Sequence, residues 1–218
     1  MLVRTFGSAV YGVEAISISI EVNVDGMGSK YFIVGLPDNA VKESLQRVES
    51  AIKSNGLYMP RTKLVVNMAP ADIKKSGSAF DLPIAIGTLA ATGQIADPEK
   101  LKDYVIMGEL GLDGSVNTVR GALPMSLQAR KDGFKGLIIP AVNSKEAAMV
   151  EDMEVIGVNT LKEVIDFFSS KNSCQPVKVD INEEFRNAQG SFDMDFSDVK
   201  GQENIKRALE IAAAGGHN

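Results

Sequence analysis

Leu64 to Gly93, LVVNMAPADIKKSGSAFDLPIAIGTLAATG, is the stretch whose reading decides the fold. It opens on an aliphatic run, Leu64 to Val66, and Pro70, which has no N–H to give a sheet ladder, ends the strand. A polar loop with Ser76, Gly77 and Ser78 follows. Asp81 to Thr92 then sets Leu82, Ile84, Ala85, Ile86 and Leu89 around one helical stripe, with Gly93 as the stop. The order is strand, loop, helix. A hydroxyl-rich loop in that position either does chemistry or shapes a surface.

Upstream, Leu2 to Val24 alternates as strands do, with Ile16, Ile18 and Ile20 on the parity expected to face a core and a hairpin placed at Gly7 to Gly12. Tyr31 to Val34 predicts a further strand, stopped by Gly35 and Pro37. Asp38 and Asn39 are helix-capping residues just before Val41, Leu45, Val48 and Ile52, whose spacing predicts an amphipathic helix ending near Gly56. Downstream, Tyr104 to Leu110 and Ser115 to Val119 predict a hairpin turning at Gly111 to Gly114. Leu123 to Lys131 predicts a helix with Leu123, Leu127 and Ala129 inward. A strand at Gly136 to Pro140, a helix at Ser144 to Val150 capped by Asn143, a strand at Val155 to Val158 and a helix at Leu161 to Phe168 complete the series. Such alternation predicts an α/β domain, because crossover helices must cover the faces of a partly parallel sheet. The domain is expected over residues 1–170, a polar, acid-rich linker or arm over 171–194, and a last helical piece over 195–218.

The chain has 218 residues, 44% of them hydrophobic, which is enough for a sizeable core. Cys174 is the single cysteine, so no intramolecular disulfide forms; with His217 the only histidine, a His/Cys metal centre cannot be built within one chain. The N-terminus is broken by Gly7, Ser8, Gly12 and Glu14 before any signal-peptide core accumulates, and no run approaches the roughly 18 apolar residues of a spanning helix. A cytoplasmic protein without a membrane segment is expected. The net charge is −5, yet residues 41–80 carry seven cations against three acids and residues 141–200 six against twelve. Solvated faces of mixed sign account for this imbalance. The sharper reading places Arg61, Lys63, Lys74 and Lys75 on the phosphates of a nucleic acid.

Ser76 and Ser78 lie where helix N-terminal N–H groups hold anions or activate a hydroxyl. A nucleophilic serine needs a base, and Lys74 and Lys75 are not placed to act as one by spacing alone. The plain reading is that Ser78 caps the helix while Gly77 supplies a turn.

Pro70 to Asp81, Gly108-Glu109-Leu110-Gly111-Leu112-Asp113-Gly114-Ser115-Val116 and Gly133-Phe134-Lys135-Gly136-Leu137-Ile138-Ile139-Pro140 together resemble the Lon protease proteolytic domain, a variant of the ribosomal S5 domain 2-like fold. The resemblance puts Ser78-Ala79 at the nucleophilic Ser-Ala of that family. Its partner lysine aligns, counting back without gaps from Pro140, with Leu123, and Phe80 replaces the small residue after Ser-Ala. Leucine cannot accept a proton, so the resemblance implies a protease-like fold without protease activity. The alternative is a serine peptidase in which Ser78 takes a lysine from elsewhere, such as Lys131 or Lys74.

Asp195-Phe196-Ser197-Asp198-Val199-Lys200-Gly201-Gln202, followed by the Ala-rich segment to Asn218, is similar to the opening of an AAA+ ATPase module, in which Val199, Gly201 and Gln202 would border adenine. No GxxxxGK[ST] loop occurs in these residues. Taken together, the two resemblances identify the chain as the N-terminal part of a Mg-chelatase-like AAA+ protein of the ComM/YifB type. That family implies a hexameric, ATP- and Mg-dependent motor linked to DNA processing and competence, with no chelatase activity implied. For the residues at hand it implies an accessory domain that binds or assembles, followed by the truncated start of a motor, with no cofactor of its own. A purely structural role in setting hexamer geometry is the further alternative.

Overall fold

A computed structural model describes residues 1–26, 28, 30–169, 174–180 and 195–216. It divides into two compact units, Met1–Val179 and Asp180–Asn218.

The first unit is a mixed α/β domain, as its alternation of elements predicts. Its sheet has seven strands: β1 (Leu2–Tyr11), β2 (Glu14–Asp25), β3 (Tyr31–Val34), β4 (Lys63–Ala69), β5 (Tyr104–Ile106), and two later strands at Gly136–Pro140 and Glu154–Val158. A separate two-stranded ribbon pairs β6 (Glu109–Leu110) with β7 (Val116–Asn117), so the later sheet strands are β8 and β9. The sheet order is β3-β4-β2-β1-β5-β8-β9. Only β1 with β2 and β2 with β4 run antiparallel; the other four pairings are parallel. This mostly parallel sheet agrees with a Lon-like α/β fold.

The helices follow the chain as α1 (Asn39–Ser54), α2 (Asp81–Ala91), α3 (Ala122–Lys131), α4 (Ala141–Ala147) and α5 (Leu161–Phe168). α2 packs on β1 and β2, and α1 packs on α2; α3 and α4 pack on each other and on β2, β8 and β9. All eleven residues of α2 are buried, so the helix has no solvent side at all. Gly87 permits its approach to the sheet, since a Cβ there would lie 2.6 Å from a methyl of Val22.

Local chemistry sets the element ends. Asp38 caps α1 by accepting the Val41 N–H at 2.8 Å, as its residue type predicts. The β1–β2 turn falls at Gly12 and Val13, later than the Gly7 to Gly12 expectation, because Gly7 to Tyr11 continue the ladder to Glu14. Ile18 and Ile20 are fully buried, but Ile16, nearer the turn, is 37% exposed. On α3 the inward residues are Ala122, Met125, Ser126 and Ala129, whereas Leu127 faces out and Leu123 is half-buried. α4 starts at Ala141, and Asn143 lies inside it rather than capping it. Beyond α5, the Val177 N–H donates to the Val155 carbonyl at 2.8 Å and Cys174 packs against the core, so residues 174–179 belong to the first unit.

In the second unit a short helical turn, Phe196–Asp198, is capped by Asp195 and precedes the helix Glu203–Gly215. His217 and most of the acid-rich stretch between Asp180 and Asp195 lie outside the described residues.

Candidate functional site

A cleft of about 490 Å³ opens at the loop between β4 and α2. Ser76, Gly77, Ser78 and Lys74 form one wall, Ser8 to Tyr11 of β1 a second, and Thr118, Val119 and Arg120 a third, with Glu109 and Met107 also lining it.

Ser78 does not cap α2, which corrects the expectation from sequence. The residue at the cap position is Phe80, whose side chain cannot accept, and the Ser78 hydroxyl instead donates to Glu109 Oε2. Asn117 approaches the other Glu109 oxygen at 3.4 Å. Glu109 stands where β5 gives way to the β6–β7 ribbon, and its part in the site was not foreseen. The available signal was an acid directly after a buried strand, in a segment that already resembled the protease family. No lysine amine bonds Ser78 among the described residues. Leu123 does not line the cleft; its N–H donates to Glu146 Oε1 at 2.9 Å. Lys131 sits six residues beyond Met125 on α3, about 9 Å further along the axis, exposed and away from the cleft. Lys74 does line it, but its amine makes no hydrogen bond or ion pair there.

Two other contacts shape the walls. The Tyr11 hydroxyl donates to the Lys74 carbonyl at 2.5 Å, tying β1 to the loop. Asn143 accepts from Val119 N–H at 2.9 Å and donates back to its carbonyl at 2.9 Å, fixing the third wall from α4.

Lys75 is fully buried, and its amine donates to the carbonyls of Gly35, at 2.9 Å, and Pro70. Its backbone joins the same seam: Lys75 N–H donates to Leu36, and the Asp38 N–H donates to Lys75. Burial pulls the amine pKa below the ordinary lysine value. Lys75 is therefore no surface contact for phosphate, which corrects its place in the basic group. The remaining members are separated. Lys63 begins β4, its amine 5.7 Å from the centre of the Phe32 ring, and exposed Arg61 precedes it. Lys74 lies past the other end of that seven-residue strand, roughly 20 Å away at the usual strand rise.

Beneath the cleft, Asp81 at the start of α2 is fully buried and held bidentately by Arg47, at 2.6 and 3.0 Å. It also accepts the Leu110 N–H at 3.3 Å. Burial raises the Asp81 pKa, with the guanidinium opposing. Val199, Gly201 and Gln202 lie in the second unit, all exposed, with Gln202 in left-handed conformation at the start of the last helix. Among the described residues no group of acids, Cys and His could hold a metal ion, and no helix is long and apolar enough to cross a membrane.

Residues 20–143 match the family described as subunit ChlI of Mg-chelatase, and residues 195–218 match magnesium chelatase, subunit ChlI. The chain is 38% identical over 217 residues to competence protein ComM of Haemophilus influenzae, covering all of this chain and 42% of that protein. It is 38% identical over 211 residues to the uncharacterized protein YifB of Escherichia coli, covering 96% of this chain and 40% of the relative. Lon protease 2 of Bacillus subtilis is 26% identical over 199 residues, covering 82% of this chain and 35% of that protein. The chain thus spans about two fifths of the length of the ComM and YifB relatives.

Proposed function

This chain belongs to the Mg-chelatase ChlI family and is of the ComM/YifB type, and from that premise we propose that its first unit is a non-proteolytic accessory domain that binds or assembles for an ATP-driven motor. The observation that carries the reading is the commitment of Ser78 to Glu109. A serine becomes a nucleophile when a base takes its proton, and carboxylates as a class are far weaker bases toward a hydroxyl than the amine that the protease resemblance calls for. Leu123 occupies the position where the protease resemblance expects the lysine, and the cleft receives no amine from α3. The bond to Glu109 holds Ser78 as part of a wall.

In the whole protein the motor would use ATP and Mg, act as a homo-oligomer and serve DNA processing, with Val199, Gly201 and Gln202 contributing to an adenine pocket. Residues 1–218 contain no phosphate-binding loop, so on their own they turn over no ATP. Dispersal of Arg61, Lys63, Lys74 and Lys75 argues against a DNA contact built on those four.

Incubation of the 218-residue chain with fluorescent casein and a fluorophosphonate probe tests the reading. The expected result is no cleavage and no labelling at Ser78 beyond a Ser78→Ala control. Rapid labelling of Ser78, or cleavage abolished by that substitution, would establish the peptidase instead.

A further inference from the structure

The wall of the cleft formed by β1 is an open strand edge. Met1 and Val24 exchange both backbone hydrogen bonds, so odd-numbered residues of β1 bond to β2 and even-numbered ones point the other way. Phe6 uses that outward side to pair with Val105 of β5, and the Ser8 N–H turns to the Met107 sulfur at 3.1 Å. β5 pairs no further along β1. The Val10 N–H and C=O and the Ser8 carbonyl therefore face the cleft, with no partner among the described residues. Opposite them run Thr118 to Arg120, braced by Asn143.

The gap is bordered by charge of one prevailing kind. Arg120 and Lys74 are exposed on its rim, and neither side chain makes a hydrogen bond or ion pair among the described residues. Among the described residues Glu109 is the acid that lines it, one against two cations, and its oxygens accept from Ser78 and Asn117. Gly121 has φ +82° and lies against Val10, where a Cβ would come within 3.0 Å of a Val10 methyl, so the end of the gap is closed by backbone and apolar contact.

We propose that this cleft takes up an extended acidic peptide as an added strand on β1 and holds it uncleaved. Strand addition supplies the missing backbone partners of Ser8 and Val10, while carboxylates along the peptide meet Arg120 and Lys74. The inference rests on the non-proteolytic reading and deepens it by naming the class of partner.

The test uses the 218-residue chain and fluorescein-labelled octapeptides of alternating valine with glutamate, lysine or serine, followed by anisotropy. The glutamate peptide is expected to bind at least tenfold more tightly than the lysine peptide, and Arg120→Glu, a change at an exposed unpartnered side chain, to weaken it at least tenfold. N-methylation at every valine, or at every glutamate, removes the N–H groups of one peptide edge; one of the two methylated peptides should lose binding at least tenfold. Absence of saturable binding up to millimolar peptide, equal binding of the three peptides, indifference to Arg120→Glu, or full binding of both methylated forms each overturns the proposal. Tighter binding of single-stranded oligothymidylate at the same cleft, lost in Arg120→Glu, overturns it in favour of nucleic acid. Mass spectrometry of the recovered peptide separates the two readings: cleavage defeats the non-proteolytic assignment, whereas failure to bind defeats only the strand-addition inference.

Discussion

At the scale of single residues, Lys75 shows how one side chain sets the loop that carries Ser78. Its amine satisfies two carbonyls, of Gly35 and Pro70, in a place that excludes water. Lys75→Met keeps the volume and leaves those oxygens without donors, so a loss of about 1–3 kcal/mol is expected in urea unfolding. The pH dependence has a definite sign. Because burial lowers the folded pKa below the ordinary 10.5, the unfolded chain binds the proton more strongly between those values. The penalty for burying the charged form is present below the folded pKa and is relieved as pH rises toward 10.5. Unfolding midpoints of the native chain should therefore gain on those of Lys75→Met across that alkaline window; a constant difference would refute the burial argument. None of this was legible in the sequence. Lys74 and Lys75 are adjacent and chemically identical there, and only the turn of the loop sends one to solvent and the other into the seam. Ser78 was legible as a position but its partner was not, since Glu109 is brought to it from 31 residues away.

Between elements, the clasp of Arg47 on Asp81 locks α1 to the start of α2. Arg47 lies off the apolar stripe of α1, yet its stem reaches across to Asp81 and its guanidinium also bonds the Ala40 carbonyl at 3.0 Å. Removing one partner of a buried pair strands the other charge, so Arg47→Ala should cost about 3–5 kcal/mol near neutral pH. Asp81 is already raised by burial, and loss of the guanidinium raises it further. A carboxyl whose folded pKa exceeds its unfolded value is penalised above the unfolded value and relieved as pH falls through the folded one. The defect of Arg47→Ala should shrink in acid, measured against native chain at each pH, and a defect equally large at pH 4 and pH 7 would reject the clasp. Most elements were legible because their apolar spacing is local: α1 follows Val41, Val48 and Ile52, and β8 is an unbroken buried run. The full burial of α2 was less so. A stripe and an all-round apolar helix differ by small residues such as Ala85, Gly87 and Ala90, whose burial depends on α1 above and the sheet below.

At the scale of the molecule, the change of composition after Phe168 was legible, but the extent of packing beyond it was not. The six residues Cys174 to Val179, too short a run to predict an element, stay with the first unit through a backbone bond to β9 and the contact of Cys174 with the core. They follow the outer side of β9, an edge strand of the sheet, and so cover backbone that would otherwise be open. The unit Met1–Val179 contains the whole seven-stranded sheet and its helices, so residues 1–179 should fold alone with a thermal midpoint within about 2 °C of the full chain, given that removing independent structure leaves the remaining cooperative unit unchanged. Cutting further, to residues 1–169, removes the Val177 hydrogen bond and uncovers the β9 edge. That shorter chain should lose about 1–2 kcal/mol, the net worth of a hydrogen bond with some apolar cover, and should self-associate at high concentration by edge pairing. Calorimetry and sedimentation of the two truncations decide the matter. Equal stability and equal monomer content for 1–169 and 1–179 would make residues 174–179 a passive tail, while a large loss in 1–179 would show that the second unit supports the first.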